Sequence, residues 1–558
     1  MDPQFVDRHR EDLPHLRRLH FTKLGTTTPP QSPVAWSTFI TGTDPAVHGI
    51  FDFVHRDPRT LQPFSSISRT EEPRFTLPLG PYRLPLSKAR VESLRKGRAF
   101  WELLAEQDVP VTVIRMPTNY PPIRAGVALA GMGVPDLRGT FGTFTYFTDD
   151  PGEESRDVAG GRIVALPPLA SNRAVLEIEG PPNSLRKDGR PTFVSVTLDV
   201  DPGEPVARIT AGDTIAVVKQ GEWSDWLSVQ FPLIRGLATA RGMIRIYARQ
   251  LHPELQVYVS PVNVDPRAPE LPVSEPAGYS REVARQIGPF YTQGIAEDTS
   301  ALRQGVFDLP EFLSQSHEVL AEERRLLRYS LAHYQDGLLF FYFSAIDQNS
   351  HVLWGKHEPE LLEIYRAVDA SVGEVLRRAG DAEVIVMSDH GFTTFDRMVH
   401  LNAWLWTKGL WQTKKAYALG LNGLYVNAKG QERRDLLAEL REQLLAWRDP
   451  ANGNRVVTSV ALTPEGTPGS PPDMIVGYSP GYRVSWQTAL GEAPPVIFED
   501  NQDAWIGDHC IDAAAVPGVL FSSPPVRVSD PELKDLTVSI LALFGVERGP
   551  GMTGRKLF

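Results

Sequence analysis

Leu338-Leu339-Phe340-Phe341-Tyr342-Phe343-Ser344-Ala345-Ile346 runs without interruption into Asp347-Gln348-Asn349-Ser350-His351. An apolar run of this length, rich in aromatic and branched side chains, reads as a strand buried on both faces. Such strands belong to α/β sheets, which hold their ligands beyond the carboxyl ends of the strands. Asp347 stands at that end. His351 follows four positions later, so on a helical turn the carboxylate and the imidazole share one face and can share a cation. Alone, the pair fits an ordinary polar contact on a surface helix equally well.

Moving outward, Glu383 to Ser388 is a second strand pattern and it ends in Asp389-His390-Gly391. Acid and imidazole side by side, with a glycine that permits close approach, mark a strand end built for a ligand. Near the carboxyl end stands Gly507-Asp508-His509. By itself His509 fits a partly buried histidine bonded to the backbone. Counted together, Asp347, His351 and His509 form a carboxylate and two-imidazole zinc set with one position open. Asp389 and His390 supply part of a second set, to which Ser32 would add its oxygen. Two cations about 4 Å apart can clamp the attacking and leaving oxygens of an in-line displacement. Zinc suits these mixed ligands, and manganese suits a carboxylate-rich version of them.

Ser32 stands in Gln31-Ser32-Pro33-Val34-Ala35-Trp36, where Ser before Pro is a common helix start and Gly42 a natural stop. A plain N-cap is one reading. The other uses the same geometry, because the helix start favours an anionic phosphoryl group beside the hydroxyl. A serine hydroxyl then needs a base or a metal to become a nucleophile.

The chain has 558 residues, 42% of them hydrophobic, which allows two to four structural units and a large core. A net charge of −11 leaves no basic footprint for a nucleic acid polymer, and a small anionic substrate would need local cations, which bound metal could provide. With Cys510 the single cysteine, neither an intrachain disulfide nor a thiolate-rich metal site can form. No run is long enough to span a bilayer, and no signal pattern opens the chain. Cytoplasmic location is favoured over export, and the oligomeric state is left open.

Residues 1–150 alternate helical and strand-like pieces, with a helix over Phe100 to Gln107 and a strand over Val109 to Arg115. Residues 151–275 change to short β-branched runs between Gly and Pro, which predicts an inserted β-rich domain with strands over Arg162 to Ala165, Ala174 to Glu179, Thr192 to Asp199, Ala207 to Thr210, Thr214 to Lys219 and Met243 to Ala248. Residues 276–558 return to helical periodicity over Leu313 to Tyr334, Arg433 to Trp447 and Pro531 to Phe544, with loops and a hairpin between Thr463 and Gly481.

The stretch from Thr28 to Gly42, continuing to His48-Gly49-Ile50, resembles the nucleophile region of the alkaline phosphatase superfamily in its type I phosphodiesterase/nucleotide pyrophosphatase branch. The three acid and imidazole motifs resemble that superfamily's metal motifs in the same order. The resemblance implies an α/β fold, an alkaline-phosphatase-like core sheet flanked by helices, with the β-rich insertion as a cap. It implies a phosphoric ester hydrolase, phosphodiesterase or phosphatase, with Ser32 as nucleophile and a phosphoseryl intermediate. Asp347, His351 and His509 would hold one divalent cation, and Asp389, His390 and Ser32 the other. A phosphomutase or phosphotransferase on the same core, and a non-catalytic relative short of one ligand, are the alternatives.

Three departures bear on this. Ala35 stands where phosphodiesterases of the branch often carry Asn; Asn119 and Tyr120 are candidate replacements for its contact with substrate, against a plain Pro-restrained loop. Val34 and Trp36 replace the Pro and Arg of sulfatases. Relatives open with a strand ending in Asp-Gly ahead of a run like Met1-Asp2-Pro3 and a helix like Phe5 to Leu19. The resemblance therefore places that strand and its ligand Asp upstream of Met1, with Asp2 as a displaced stand-in.

Overall fold

In the computed structural model, which describes residues 1–87, 89–153, 156–169 and 172–558, the apolar run at 338 forms the strand Leu338–Phe341. It pairs in parallel with Val111–Met116, from Leu338 opposite Val111 to Phe341 opposite Ile114. Val127–Ala130 adds in parallel on the far side, and Ser274–Glu275 closes that sheet antiparallel. A second sheet has Gly518–Ser522 at its centre, antiparallel to both His20–Leu24 and Ile385–Met387. The fold is thus mixed α/β, as expected.

Leu338–Phe341 and Ile385–Met387, the strands that deliver the acid and imidazole motifs, are each the edge strand of their sheet. Both border one apolar cluster built on Trp36, Phe39, Val113 and Leu520, against which Leu338, Phe340, Tyr342, Ile385 and Met387 pack. Their side chains are half-buried. The expected burial on both faces is therefore not reached at 338, because no described strand lies along that edge.

Helices cover the sheets. Leu309–His333 begins a turn earlier than the apolar period alone suggests, because Asp308 and Glu311 form a reciprocal capping box, with bonds of 2.8 Å in each direction. Gly430–Ala446 and Leu533–Leu543 lie close to their expected spans. The helix expected over Phe5 to Leu19 is shorter: Pro3–Arg8 is α-helical, and only single 3-10 turns, Arg10–Asp12 and Leu16–Arg18, follow. Pro14 lacks an N–H and cannot continue a helix through its own position.

Between 151 and 275 the strands Gly161–Ala165, Arg173–Pro182, Pro191–Val200, Val206–Ala211 and Thr214–Lys219 fall where β-branched runs predict them. Met243 to Ala248 proves to span two strands, Ala238–Ile244 and Ile246–Gln250, separated at Arg245. Phe144–Thr148 pairs with both Gly161–Ala165 and Gln256–Val259, which stitches the entry and exit of this region together. Val54 to Ser93 adds three two-stranded ribbons that no sequence period announced. Among the described residues no helix is long and apolar enough to cross a membrane.

Candidate metal and nucleophile site

The three motifs and Ser32 converge. Asp347 and His351 lie on the helix Ala345–Leu353, one turn apart, with His351 Nε2 3.9 Å from Asp347 Oδ2. Asp389 and His390 follow the strand Ile385–Met387, and His390 Nε2 lies 3.4 Å from Asp389 Oδ2 and 3.7 Å from Asp347 Oδ1. His509 stacks on His390, ring centres 3.5 Å apart and planes 12° apart. One ligand atom from each of Asp347, His351 and His509 lies within 4.8 Å of the others. Asp508, His509 and Cys510 meet the same distance test as chain neighbours, but the Asp508 carboxylate is taken by Arg483 and Trp505 Nε1.

Ser32 is the first residue of the helix Ser32–Thr41, whose N-cap is Gln31, and its hydroxyl caps nothing. Instead Ser32 Oγ lies 3.0 Å from His390 Nε2. The plain N-cap reading is corrected by this bond, while Gly42 does end the helix in a left-handed conformation, φ 63°.

The imidazoles share one orientation. His351 Nδ1 donates to Gly507 O at 2.8 Å, His509 Nδ1 to Pro30 O at 2.7 Å, and His390 Nδ1 to Gly391 O at 3.1 Å. A ring nitrogen facing a carbonyl must carry the proton, so every Nε2 lone pair is left for the cleft, as a metal-ligating histidine requires. Asp347 Oδ1 and Asp389 Oδ2 are buried without any hydrogen-bond partner. Buried carboxylate oxygens are costly to leave unpaired, and with the aligned lone pairs they fit divalent cations.

The electrostatics follow from that crowding. Burial, then the charge of Asp347, pushes Asp389 up to about 7. Burial pushes His351 down to about 4 against the pull of Asp347, and pushes His390 well below the usual imidazole range. Burial opposes ionisation of Asp508 as well, yet the Arg483 guanidinium, the His509 and His351 rings and the Cys510 N–H together outweigh burial and hold that carboxyl well below the carboxylate range.

Asp2 does not join the set. Its Oδ1 accepts from Gln4 N at 2.9 Å and Phe5 N at 3.0 Å as a helix cap, and its Oδ2 accepts from Phe392 N at 3.3 Å. The Met1 amino group is buried facing Asp389 and Asp347 instead; burial lowers its pKa and the carboxylates raise it. Asn119 is buried in the loop after Val111–Met116, with Oδ1 accepting from Ile123 N at 3.2 Å and Nδ2 unpartnered. Tyr120 is buried beside it.

Sequence reasoning passed over the walls of this cleft. Trp505 stacks on His351 with ring centres 3.7 Å apart, and Phe392 meets His351, His390 and His509 edge-on at 5.1, 5.4 and 5.5 Å. Phe392 directly follows Asp389-His390-Gly391 and was within reach of a careful reading. Trp505 carried no signal.

The sequence profile of type I phosphodiesterase/nucleotide pyrophosphatase matches residues 1–183 and 257–506, more than half of the chain. The chain belongs to this family. Its members are phosphoester hydrolases, and the chain is a hydrolase of phosphoric ester bonds on a mixed α/β fold. A search of curated protein sequences gives no match. Among solved structures, wild-type alkaline phosphatase PafA aligns over 100% of this chain and 96% of its own, at 10% identity and TM-score 0.47. Phosphonoacetate hydrolase from Sinorhizobium meliloti 1021, in complex with phosphonoformate, aligns over 97% of this chain and 93% of its own, at 12% identity and TM-score 0.43. Human ectonucleotide pyrophosphatase/phosphodiesterase 5 aligns over 43% of this chain and 61% of its own, at 15% identity and TM-score 0.28. The profile leaves out residues 184–256, which hold most of the strands of the β-rich region.

Proposed function

We propose that this hydrolase is metal-dependent and acts through a phosphoseryl intermediate on Ser32. One observation carries the reading: Ser32 Oγ lies 3.0 Å from His390 Nε2, in the cleft where Asp347 Oδ1 and Asp389 Oδ2 are buried without partners. Asp347, His351 and His509 would hold one divalent cation, and Asp389, His390 and Ser32 a second, zinc being favoured by the imidazoles and manganese allowed by the carboxylates. Bound cations would supply Lewis acidity and lower the pKa of a hydroxyl or water.

The chain's own residues define the rest. With Nδ1 of His390 donating to Gly391 O, its Nε2 lone pair faces Ser32 Oγ, so that the imidazole and the hydroxyl oxygen could share one cation. Attack by Ser32 Oγ forms the Ser–O–P bond and breaks the P–O bond to the leaving alcohol. Water then breaks Ser–O–P and releases phosphate, or the monoester where the substrate was a diester. The amino end of Ser32–Thr41 places its partial positive charge beside the phosphoryl group. The substrate is a small phosphorylated compound, with Asn119 Nδ2 a candidate donor to it.

Ser32→Ala is expected to lower turnover of a chromogenic phosphate ester on the order of 10^3-fold or more, as removal of a nucleophile does. Unchanged metal-dependent turnover in that variant would exclude Ser32. Metal analysis tests the two-cation reading: about two tightly bound cations per chain support it, and one or none overturns it.

A further inference from the structure

Ser32 and His509 are tied to each other by a short piece of chain. Pro30 supplies the carbonyl that orients His509, Ser32 follows two residues later, and Gln31 lies between them, fully buried. Every polar atom of the Gln31 side chain is used. Its Nε2 donates to Asp52 Oδ2 at 2.7 Å and to Asn422 Oδ1 at 2.8 Å, and its Oε1 accepts from Phe53 N at 3.2 Å. Asn422 in turn donates from Nδ2 to Cys510 O at 3.2 Å, on the residue after His509, and to Val476 O at 2.9 Å. The network closes a loop through both ends of the site.

Asp52 is its anchor. Among the described residues no cation pairs with the buried carboxylate, and Oδ2 accepts from Leu421 N at 2.8 Å and Asn422 N at 3.3 Å besides Gln31. The turn admits it only because residue 420 is glycine: φ is +78°, and a Cβ there would lie 2.5 Å from Asp52 Oδ2. A buried carboxylate with no cation beside it is unfavourable unless donors hold it in place, and these donors belong to segments 21 and 369 residues away.

We propose that Asp52, acting through Gln31 and Asn422, is a positioning group that fixes Ser32 and the His509 ring relative to one another. The inference rests on the reading of Ser32 as nucleophile and His509 as ligand. Burial pushes Asp52 up to about 6. The titratable groups facing it are the Tyr425 hydroxyl and the Cys510 thiol, both raised by burial and neutral in that range. The ionised form is the acceptor the donors need, so turnover falls as pH drops through about 6.

The test uses the full chain with bis(para-nitrophenyl) phosphate, beside Ser32→Ala. Gln31→Ala and Asp52→Ala are expected to lower kcat about 10- to 100-fold with KM little changed, and to shift the His509 ring-nitrogen resonances in the metal-free protein. Asp52→Asn keeps an oxygen toward the same N–H donors and is expected to retain turnover while losing the acid limb near pH 6. Should Asp52→Ala fail to fold, Asn422→Ser breaks the link to Cys510 and is read in the same way. An inactive Ser32→Ala beside fully active Gln31→Ala and Asp52→Ala overturns the inference alone. An active Ser32→Ala overturns the proposed function, and the His509 resonances then decide the inference, an unchanged shift ending it.

Discussion

The Ser344 hydroxyl has one proton, yet its oxygen lies 2.8 and 3.0 Å from the two Glu297 oxygens and 2.9 Å from Glu323 Oε1. One of the carboxyls must therefore donate. Burial, then the charge of Glu323, pushes Glu297 up to about 8, which places the proton there; Arg115 Nη2, 3.7 Å from Glu323, favours the charge on the partner. The unfolded chain holds Glu297 near the ordinary value of about 4.3. Stability from the protonated Glu297 is thus complete below that value and is lost as pH rises through about 8. Glu297→Gln keeps the neutral shape, so its melting temperature should fall less than that of the wild type between pH 5 and pH 9. Equal slopes in thermal melts would remove the shared proton from the account. Ser344 precedes the helix that carries Asp347, so this buried pair supports the start of that helix from behind. At this scale Asp347 and Asp389-His390 were legible because each follows a readable strand, whereas His509 was found only by completing a ligand count. The Pro30 carbonyl was not: it lies 479 residues from His509, and a backbone oxygen leaves no trace in a sequence.

Elements were legible where one face pattern dominates. β-branched runs located the five strands from Gly161–Ala165 to Thr214–Lys219 but missed Leu227–Ile234, and the apolar period located Leu309–His333. The ribbons between Val54 and Ser93 were illegible because Ser, Thr, Arg and Pro interrupt every alternation there, and pairing across the turn defines them. Edge position was illegible too, since Leu338–Phe341 has the composition of a central strand. That position has a measurable consequence. Leu338 N and Tyr342 N donate to Pro110 O and Ile114 O, at 2.8 and 3.2 Å, so by the two-residue period the Leu339 and Phe341 amides point to the open side. On the other sheet Ser388 N donates to Val519 O at 3.0 Å, which turns Met387 and Ile385 outward in the same way. Residue-resolved hydrogen exchange should find Leu339, Phe341, Ile385 and Met387 less protected than Leu338, Tyr342 and Ser388. Equal protection in both groups would mean that a strand covers these edges.

Across the whole molecule, the β-rich region is joined to the core at the helix that leads into Leu338–Phe341. Arg245, buried between two strands of that region, lies over the rings of Trp223 and Trp226 at 5.6 and 5.9 Å. Its Nε donates to Ser224 O at 3.0 Å and its outer nitrogens to Glu318 at 3.3 Å. Trp226 Nε1 donates to Glu322 Oε1 at 2.9 Å, and Glu322 Oε2 accepts from Tyr291 N at the same distance. Glu318 and Glu322 share one face of Leu309–His333, whose carboxyl end leads into Leu338–Phe341 and so to Asp347. Glu318 is half exposed, so losing its partner returns a charge to water at little cost, whereas the Ser224 carbonyl and the two indole faces have no substitute. Arg245→Ala should therefore destabilise by on the order of 2 kcal/mol, mostly through lost packing and one unpaired carbonyl. The effect should be local first, because the apolar cluster around Trp36, Phe39, Val113 and Leu520 holds the core sheets without residues of that region. Limited proteolysis is expected to cut the variant between 151 and 275 at protease levels that spare the wild type, with the helix bearing Glu322 protected. Wild-type resistance together with an unchanged unfolding midpoint would show that Arg245 does not clamp the region, and that its hold on the core lies in the strands around Phe144–Thr148 alone.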